Sequence, residues 1–353
     1  MRVTTLARTG RPRTNRTGTD RTGTDRAGTN RAGISRPWTS RRLLAGSVAG
    51  AALAATLLSV PTSDAARADG SGRPASTIAL PSASQFPEGI AVGDDRLYIS
   101  SAATGAIAAA DPHATQARPF IPAGQDGMTS SIGLNVRGDR LYAAGGPSGS
   151  VFVFSTVTGR LVRRFDTGSG GFLNDLAFDR SGNVYITDST RPVLWRIAAA
   201  EVRPGTPAPA EPWLDLTGTA ITYQNGFNLN GIELSADGRY LLAVQSNTGI
   251  LFRISVATRQ VTPVDLGGQS LAGDGMVLRG HTLWAVTNPV VTKVALNDQF
   301  SRGTVVSRTG DPTYATPTTI EITEDRLFVV NSQFAQQGGT PTLPFTVSRV
   351  AIP

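Results

Sequence analysis

One short phrase recurs six times along this chain, and its spacing limits what the chain can fold into. The fullest copy spans residues 229–244: a small polar turn at Asn230-Gly231, a strand, an Asp237-Gly238 hairpin and a second apolar strand. Other copies begin at Pro87-Glu88-Gly89, Ile132-Gly133-Leu134, Leu173-Asn174-Asp175, Asp274-Gly275-Met276 and Thr318-Thr319-Ile320. Aligned on Gly89, Gly133, Asp175, Gly231, Gly275 and Thr319, the steps are 44, 42, 56, 44 and 44 residues. A repeat of that length, with several short strands per unit, predicts the blades of a β-propeller. No long stretch after residue 68 has helical periodicity, so the fold class is all-β, with six blades.

Each unit offers four strands; in the second they are predicted at 133–136, 140–144, 150–155 and 161–166. The last unit offers only three, at 320–322, 326–331 and 345–351. Residues 76–80, ahead of the first unit, form a spare strand. Pairing it outside the C-terminal strand closes the ring through the N-terminus and leaves no long open edge. The 56-residue step contains a Pro-rich insert at 204–212, which reads as a surface loop.

The formal charge of +7 points at first to a polyanionic partner. Of 33 Lys and Arg and 26 Asp and Glu, residues 1–68 take 12 Arg and 3 Asp, leaving 21 basic against 23 acidic residues for 69–353. The basicity belongs to the leader, and nucleic acid is not an expected partner. Residues 8–33 are a low-complexity basic tract that cannot bury a core. Arg41-Arg42 then open an Ala/Gly/Leu-rich run to Val60, and Ala66-Arg67-Ala68 supply small residues for cleavage. Twin arginines before a weakly hydrophobic run match a twin-arginine export signal. A membrane anchor is disfavoured because Ala and Gly contribute little to insertion. The division is therefore a leader over 1–68 and a propeller over 69–353. The mature part is expected to be secreted or held at the cell envelope, monomeric, and free of the membrane. Zero cysteines exclude disulfides, thiolate metal sites and a Cys nucleophile.

The chemistry lies in one slot of the repeat, just before the aligned position: Glu88, Ile132, Asn174, Asn230, Asp274 and Thr318. The innermost strands of a propeller surround one axis, so these positions converge on the central channel. Asn-Gly and Asp-Gly pairs are ordinary turn formers. The phase argues otherwise, since the hairpin turns fall elsewhere, at Gly138-Asp139, Ser181-Gly182 and Asp237-Gly238. Glu88, Asn174, Asn230 and Asp274 make a set of two carboxylates and two carboxamides, which suits Ca²⁺ or another hard divalent cation. Zinc or copper would prefer imidazole or thiolate. Asp175, beside Asn174, is placed to support a ligand.

Taken across six blades, Pro-Glu-Gly, Asn-Asp, Asn-Gly and Asp-Gly resemble the calcium-dependent propellers of the senescence-marker/gluconolactonase/luciferin-regenerating-enzyme group. The resemblance covers roughly residues 76–353. It implies a central Ca²⁺ on Glu88, Asn174, Asn230 and Asp274, with Asp274 also acting as base or nucleophile. The sugar-lactonase pattern has an Arg two residues before the blade-three Asn, where this chain has Phe172. The implied substrate is therefore a more apolar ester or lactone. A paraoxonase-like histidine pair has no counterpart: His281 falls in a predicted hairpin turn and His113 in an outer loop.

Gln245, Asn288 and Asn331 end or follow second strands and are candidates for the channel mouth, as supports or substrate contacts. Phe172 and Phe227, with Phe86 and Phe334, either line an apolar pocket above the ion or are core. Trp195, Trp213 and Trp284 read as packing between blades. Two functions of different class follow. One is a metal-dependent hydrolase of a small-molecule lactone or ester. The other is a non-catalytic propeller, stabilised by calcium, whose top face binds a peptide, glycan or cell-wall component. Fold cannot choose between them.

Overall fold

The computed structural model describes residues 76–353 apart from Asp94 and Glu324; the leader expected over 1–68 lies outside the described residues. Six sheets follow one another around a common axis, each with four antiparallel blade strands ordered from the axis outward. Blade one is Pro87–Gly93, Arg96–Ser101, Ile107–Ala110 and Arg118–Ile121; blade two is Leu134–Arg137, Arg140–Ala144, Ser150–Ser155 and Leu161–Asp166. Blade three is Leu173–Phe178, Val184–Asp188, Val193–Ile197 and Glu211–Asp215; blade four is Leu229–Leu234, Tyr240–Gln245, Ile250–Ser255 and Val261–Pro263. Blade five is Met276–Arg279, Thr282–Thr287, Val290–Leu296 and Gly303–Thr309. Blade six has Pro317–Ile322, Arg326–Asn331 and Thr346–Ala351 from the C-terminus, and its outer strand is Ser76–Ala79.

That last pairing is the expected closure. Ser76 to Ala79 run antiparallel to Arg349 to Thr346, so the two ends of the propeller share one sheet. Ile78 is fully buried there, beside Leu97 and Ile99 of blade one and Phe328 and Val347 of blade six. The core has no single centre. Six apolar clusters occupy the six interfaces between consecutive blades. Second and third strands supply most of it, through residues such as Tyr98, Phe152, Tyr185, Leu241, Phe252 and Phe328, all essentially inaccessible. Trp213 and Trp284 are buried at the interfaces of blades three and four and of blades five and six, as read from the sequence.

The Pro-rich insert departs from expectation. Ala208–Pro209 pair in parallel with Phe165 and Asp166, adding a fifth strand outside blade two. Glu211–Asp215, which includes Pro212, is the outer strand of blade three. Proline is tolerated because both positions are sheet edges, where a missing N–H breaks no interior ladder.

The N-terminal strand is a closing element and not an ornament of the surface. A variant lacking residues 69–80 exposes the ladder edge of Thr346–Ala351 and uncovers Phe328 and Val347. It should aggregate or lose cooperative unfolding, as read by size-exclusion chromatography and thermal melting. A monomeric variant with an unchanged transition would show that closure contributes little.

Candidate functional site

All six innermost strands begin with the same irregularity. In blades one, three, four and six the register slips by one residue, between Pro87 and Ile90, Leu173 and Leu176, Leu229 and Ile232, and Pro317 and Ile320. In blade five, Asp274 N–H donates to Val286 O while Val286 N–H donates to Gly275 O, so two residues oppose one. Blade two repeats this with Ile132 and Gly133 opposite Ala144. These are β-bulges, which bend a strand and re-aim its side chains. The slot and aligned positions of the sequence repeat are the bulged pairs.

The bulges are locked to one another across the blades. Gly133 N–H donates to Asn174 O at 2.8 Å, Gly231 N–H to Asp274 O at 3.2 Å and Gly275 N–H to Thr318 O at 2.9 Å. Hydroxyls complete the belt: Ser100 Oγ to Ile132 O at 2.6 Å, Thr187 Oγ1 to Asn230 O at 2.7 Å, and Thr318 Oγ1 to Glu88 O at 2.9 Å. Glycine at 133 and 231 follows from the close approach, because a Cβ there would overlap Asn174 O and Asp274 O. Every slot carbonyl is consumed in this belt. Only the slot side chains remain to act in the channel.

Of the four slot residues singled out, Asn230 and Asp274 are in direct contact, and the charge of Asp274 acts on Glu88. Glu88, Asn174 and Asn230 are buried, and Asp274 is half-buried. Asn230 Nδ2 donates to Asp274 Oδ1 at 2.8 Å. Asn174 Nδ2 donates to buried Ser189 Oγ at 3.0 Å, which fixes its amide so that the carbonyl oxygen is the free end. Glu88 Oε2 is buried with no hydrogen-bond partner. The remaining slots, Ile132 and Thr318, are buried and supply no charge. Asp175 also belongs here: it accepts from Leu176 N–H at 2.9 Å and from Ile232 N–H of blade four at 3.2 Å. Among the described residues no three His, Cys, Asp or Glu side chains form a metal centre by themselves, so this set depends on its two amides.

Electrostatics mark the same place. Burial, then the charges of Asp274 and Asp175, push the Glu88 carboxyl well above the usual range. Burial raises Asp274 to about 7 against the Asn230 hydrogen bond, and raises Asp175 to about 7 against its two backbone donors. Uncompensated by a cation, these carboxyls cannot all ionise.

A second tier, missed in the sequence, lies three residues along. Glu233 and Glu321 face the channel below the slot, and burial pushes Glu233 well up and Glu321 to about 7. Glu321 accepts from Ile322 N–H at 2.8 Å. The available signal was phase again: Asn135, Glu233 and Glu321 share the third position after the slot. Asn135 Nδ2 reaches the next blade, donating to Leu176 O at 2.9 Å. Asp175, Glu233, Asp274 and Glu321 are only half-buried, so the bore is wet.

The other singled-out residues divide by role. Gln245 is buried and donates to Thr222 O and Asn228 Oδ1, each at 2.9 Å. Asn331 is fully buried and ties Ala315 N–H, Thr346 and Ser348 together. Both hold loops at the mouth and present no polar end to the channel. Asn288 is exposed, at the turn after Thr282–Thr287. Asp188, though desolvated, is held below its usual range by donors from Phe172 N–H and Arg191, and it seats the loop carrying Phe172. Phe172 and Phe227 meet edge to face with centroids 4.8 Å apart; Phe86 stacks on Phe334 at 6.3 Å and packs against Phe345. His113 is exposed in its loop, and His281 sits half-exposed at its hairpin turn, stacked on Phe300.

No protein-family model matches the chain, and no curated protein matches it. Solved structures share the fold. A gluconolactonase from Xanthomonas campestris is 14% identical, with a TM-score of 0.56 over 76% of this chain and 87% of that one. The Malassezia sympodialis allergen Mala s 1 is 17% identical, with a TM-score of 0.56 over 75% and 93%. Virginiamycin B lyase from Staphylococcus aureus is 10% identical, with a TM-score of 0.54 over 79% and 99%. At these identities the likeness is one of fold.

The lower tier gives a pH signature independent of any ligand. An acid whose folded pKa is raised leaves stability intact below its unfolded value and removes it as pH rises through the folded one. For Glu321 that window runs from about 4.5 to about 7. Glu321→Gln should therefore leave stability at pH 4.5 nearly unchanged and raise it at pH 8 by about 1–2 kcal/mol, below the full value of the shift because the bore is wet. Urea unfolding in chelator at both pH values reads this; parallel pH profiles for variant and wild type would overturn it.

Proposed function

We propose that this protein is a divalent-cation-dependent hydrolase of an uncharged lactone or ester, acting at the top of its axial channel. The observation that carries the reading is Glu88 Oε2, a buried carboxylate oxygen without a hydrogen-bond partner, in a carboxyl that feels the charges of Asp274 and Asp175. A buried carboxylate in that state is costly unless a cation completes it. The donor set is all oxygen, which fits Ca²⁺ or a similar hard ion. Glu88 and Asp274 would neutralise it. Asn174 presents a carbonyl oxygen already oriented by Ser189. Asn230 does so once its amide turns away from Asp274 Oδ1. An ion bound there supplies charge stabilisation for a polarised carbonyl.

The chain's own residues supply the rest. Of the two slot carboxylates Asp274 is the less buried, and so the one a water at the channel mouth can reach. It takes a proton from water as the water oxygen attacks the acyl carbon, and returns that proton to the departing alkoxide. Ester and water become acid and alcohol, with Asp274 restored. Phe172 and Phe227 stand at the same mouth, since they precede Asn174 and Asn230 by two and three residues. Their apolar faces favour an uncharged substrate over a polyol. The Arg41-Arg42 leader is proposed to export the mature propeller.

Two measurements test the reading. At a hundredfold excess over its dissociation constant, a bound ion adds about 2.7 kcal/mol. Chelation should then lower the melting temperature by roughly 5 °C or more, and Ca²⁺ should restore it. Metal-free protein that melts identically with and without the ion would remove the cation from the account. Separately, Asp274→Asn keeps an oxygen ligand and removes the base, so hydrolysis should fall about a hundredfold or more at saturating Ca²⁺. Asn230→Asp should alter ion affinity more than turnover. Full activity in ion-saturated Asp274→Asn would favour the binding propeller.

A further inference from the structure

The two aromatic pairs at the channel mouth are not equivalent. Phe86 and Phe334 are half-buried, and Phe86 packs into the cluster joining blades one and six. Phe227 is 50% exposed, and neither it nor Phe172 belongs to any of the six interblade clusters. A half-exposed Phe on a slack loop would mean little, but this loop is clamped. Asn228, itself 1% exposed, donates through Nδ2 to Gln224 O, Gly226 O and Ser189 O. Its Oδ1 accepts from Gln224 N–H, Gln245 Nε2 and Asn247 Nδ2. Phe172 is equally fixed, its N–H held by Asp188 Oδ1 at 3.0 Å. The fold thus spends a buried Asn and a buried Asp on presenting an apolar ring to solvent, beside two of the four slot ligands. Rigid, exposed aromatics give contact area at little entropic cost and mark recognition sites.

We propose, resting on the hydrolase reading above, that Phe227 on its Phe172 seat is the specificity determinant of the site and binds the aryl group of an uncharged aryl ester or aromatic lactone. The edge-to-face pair, at 83°, still leaves Phe227 50% exposed, so ring surface remains for a third ring. Nearby Arg191 is spent on Asp188 at 2.7 Å and on Thr167, so it offers no free cation to an anionic substrate. A polyol has no donor or acceptor on these rings to meet.

The test compares phenyl acetate with butyl acetate in the mature protein with Ca²⁺, for wild type, Phe227→Ala and Phe227→Trp, with Val157→Ala on a distant exposed turn as control. Taking the ratio of kcat/KM for aryl over alkyl ester within each variant, and comparing variants, cancels intrinsic reactivity. The ratio should fall about tenfold in Phe227→Ala, through KM, and return in Phe227→Trp; tenfold corresponds to about 1.4 kcal/mol. Binding of acetophenone, a neutral aryl ketone that cannot be hydrolysed, is followed in parallel by saturation-transfer NMR against 2-hexanone and benzoate. Acetophenone should bind wild type alone among the three and be lost in Phe227→Ala. If no ester is turned over but that binding pattern holds, the hydrolase reading falls and the aryl site stands. An unchanged ratio in Phe227→Ala with turnover intact, or acetophenone binding no better than 2-hexanone, overturns the aryl site itself.

Discussion

The inner edge of the innermost strand is the constraint around which this propeller is built. Each such strand pairs outward with its own blade, and its other edge faces neighbours at an angle that permits no continuous ladder. Its N–H and C=O groups must still be satisfied. The bulge at each strand start solves this by turning one peptide toward the next blade, and the slot carbonyls close the belt. Three consequences follow. The position after the slot must be small where blades touch, hence Gly133 and Gly231. The slot side chain is forced toward the axis. The backbone oxygens are used up, so whatever the channel binds is chosen by side chains alone.

Those side chains are poorly suited to stability. Glu88, Asp175 and Asp274 at the top, and Glu233 and Glu321 below, are carboxyls whose ionisation burial opposes. One of them has a structural role, since Asp175 accepts an N–H from Ile232 of the following blade. An Asn does comparable work at 135 without a charge, so the clip alone does not demand an acid. Glu88 is different again: one of its oxygens makes no hydrogen bond to the protein. A group that costs stability and returns none to the fold is most simply read as serving a ligand.

Much of this was legible from phase. A polar residue before Gly or Asp, recurring near every 44 residues, gives both the blade count and the inward slot, because equivalent residues of equivalent blades meet on one axis. Closure by residues 76–79 was legible as an unpaired strand at one end and a missing strand at the other. The Pro-rich insert was not, because Ala208–Pro209 and Glu211–Asp215 are edge pairings set by tertiary contact, which proline only permits. Gln245 and Asn331 sit at strand ends, where sequence cannot tell a side chain that faces the channel from one that turns back to tie a loop. Glu233 and Glu321 were hidden by alternation: in a half-buried strand a polar residue ordinarily marks the solvent side, whereas here the polar side is the bore.

The fold narrows function less than the channel does. Structures named for a gluconolactonase, an allergen and a lyase share this architecture at 10–17% identity. What varies on a common ring of bulges is which side chains fill six slots and what stands above them. Here the slots hold a hard-oxygen set, and above two of them the chain places Phe172 and Phe227. Such a pairing of charge below and apolar surface above suits a substrate with a polar reacting bond and an apolar body. A propeller needing its cation only as a rivet would gain nothing from an exposed Phe227, and burying that ring would favour its fold. Its exposure on a clamped loop is the feature that ties the top face to the channel.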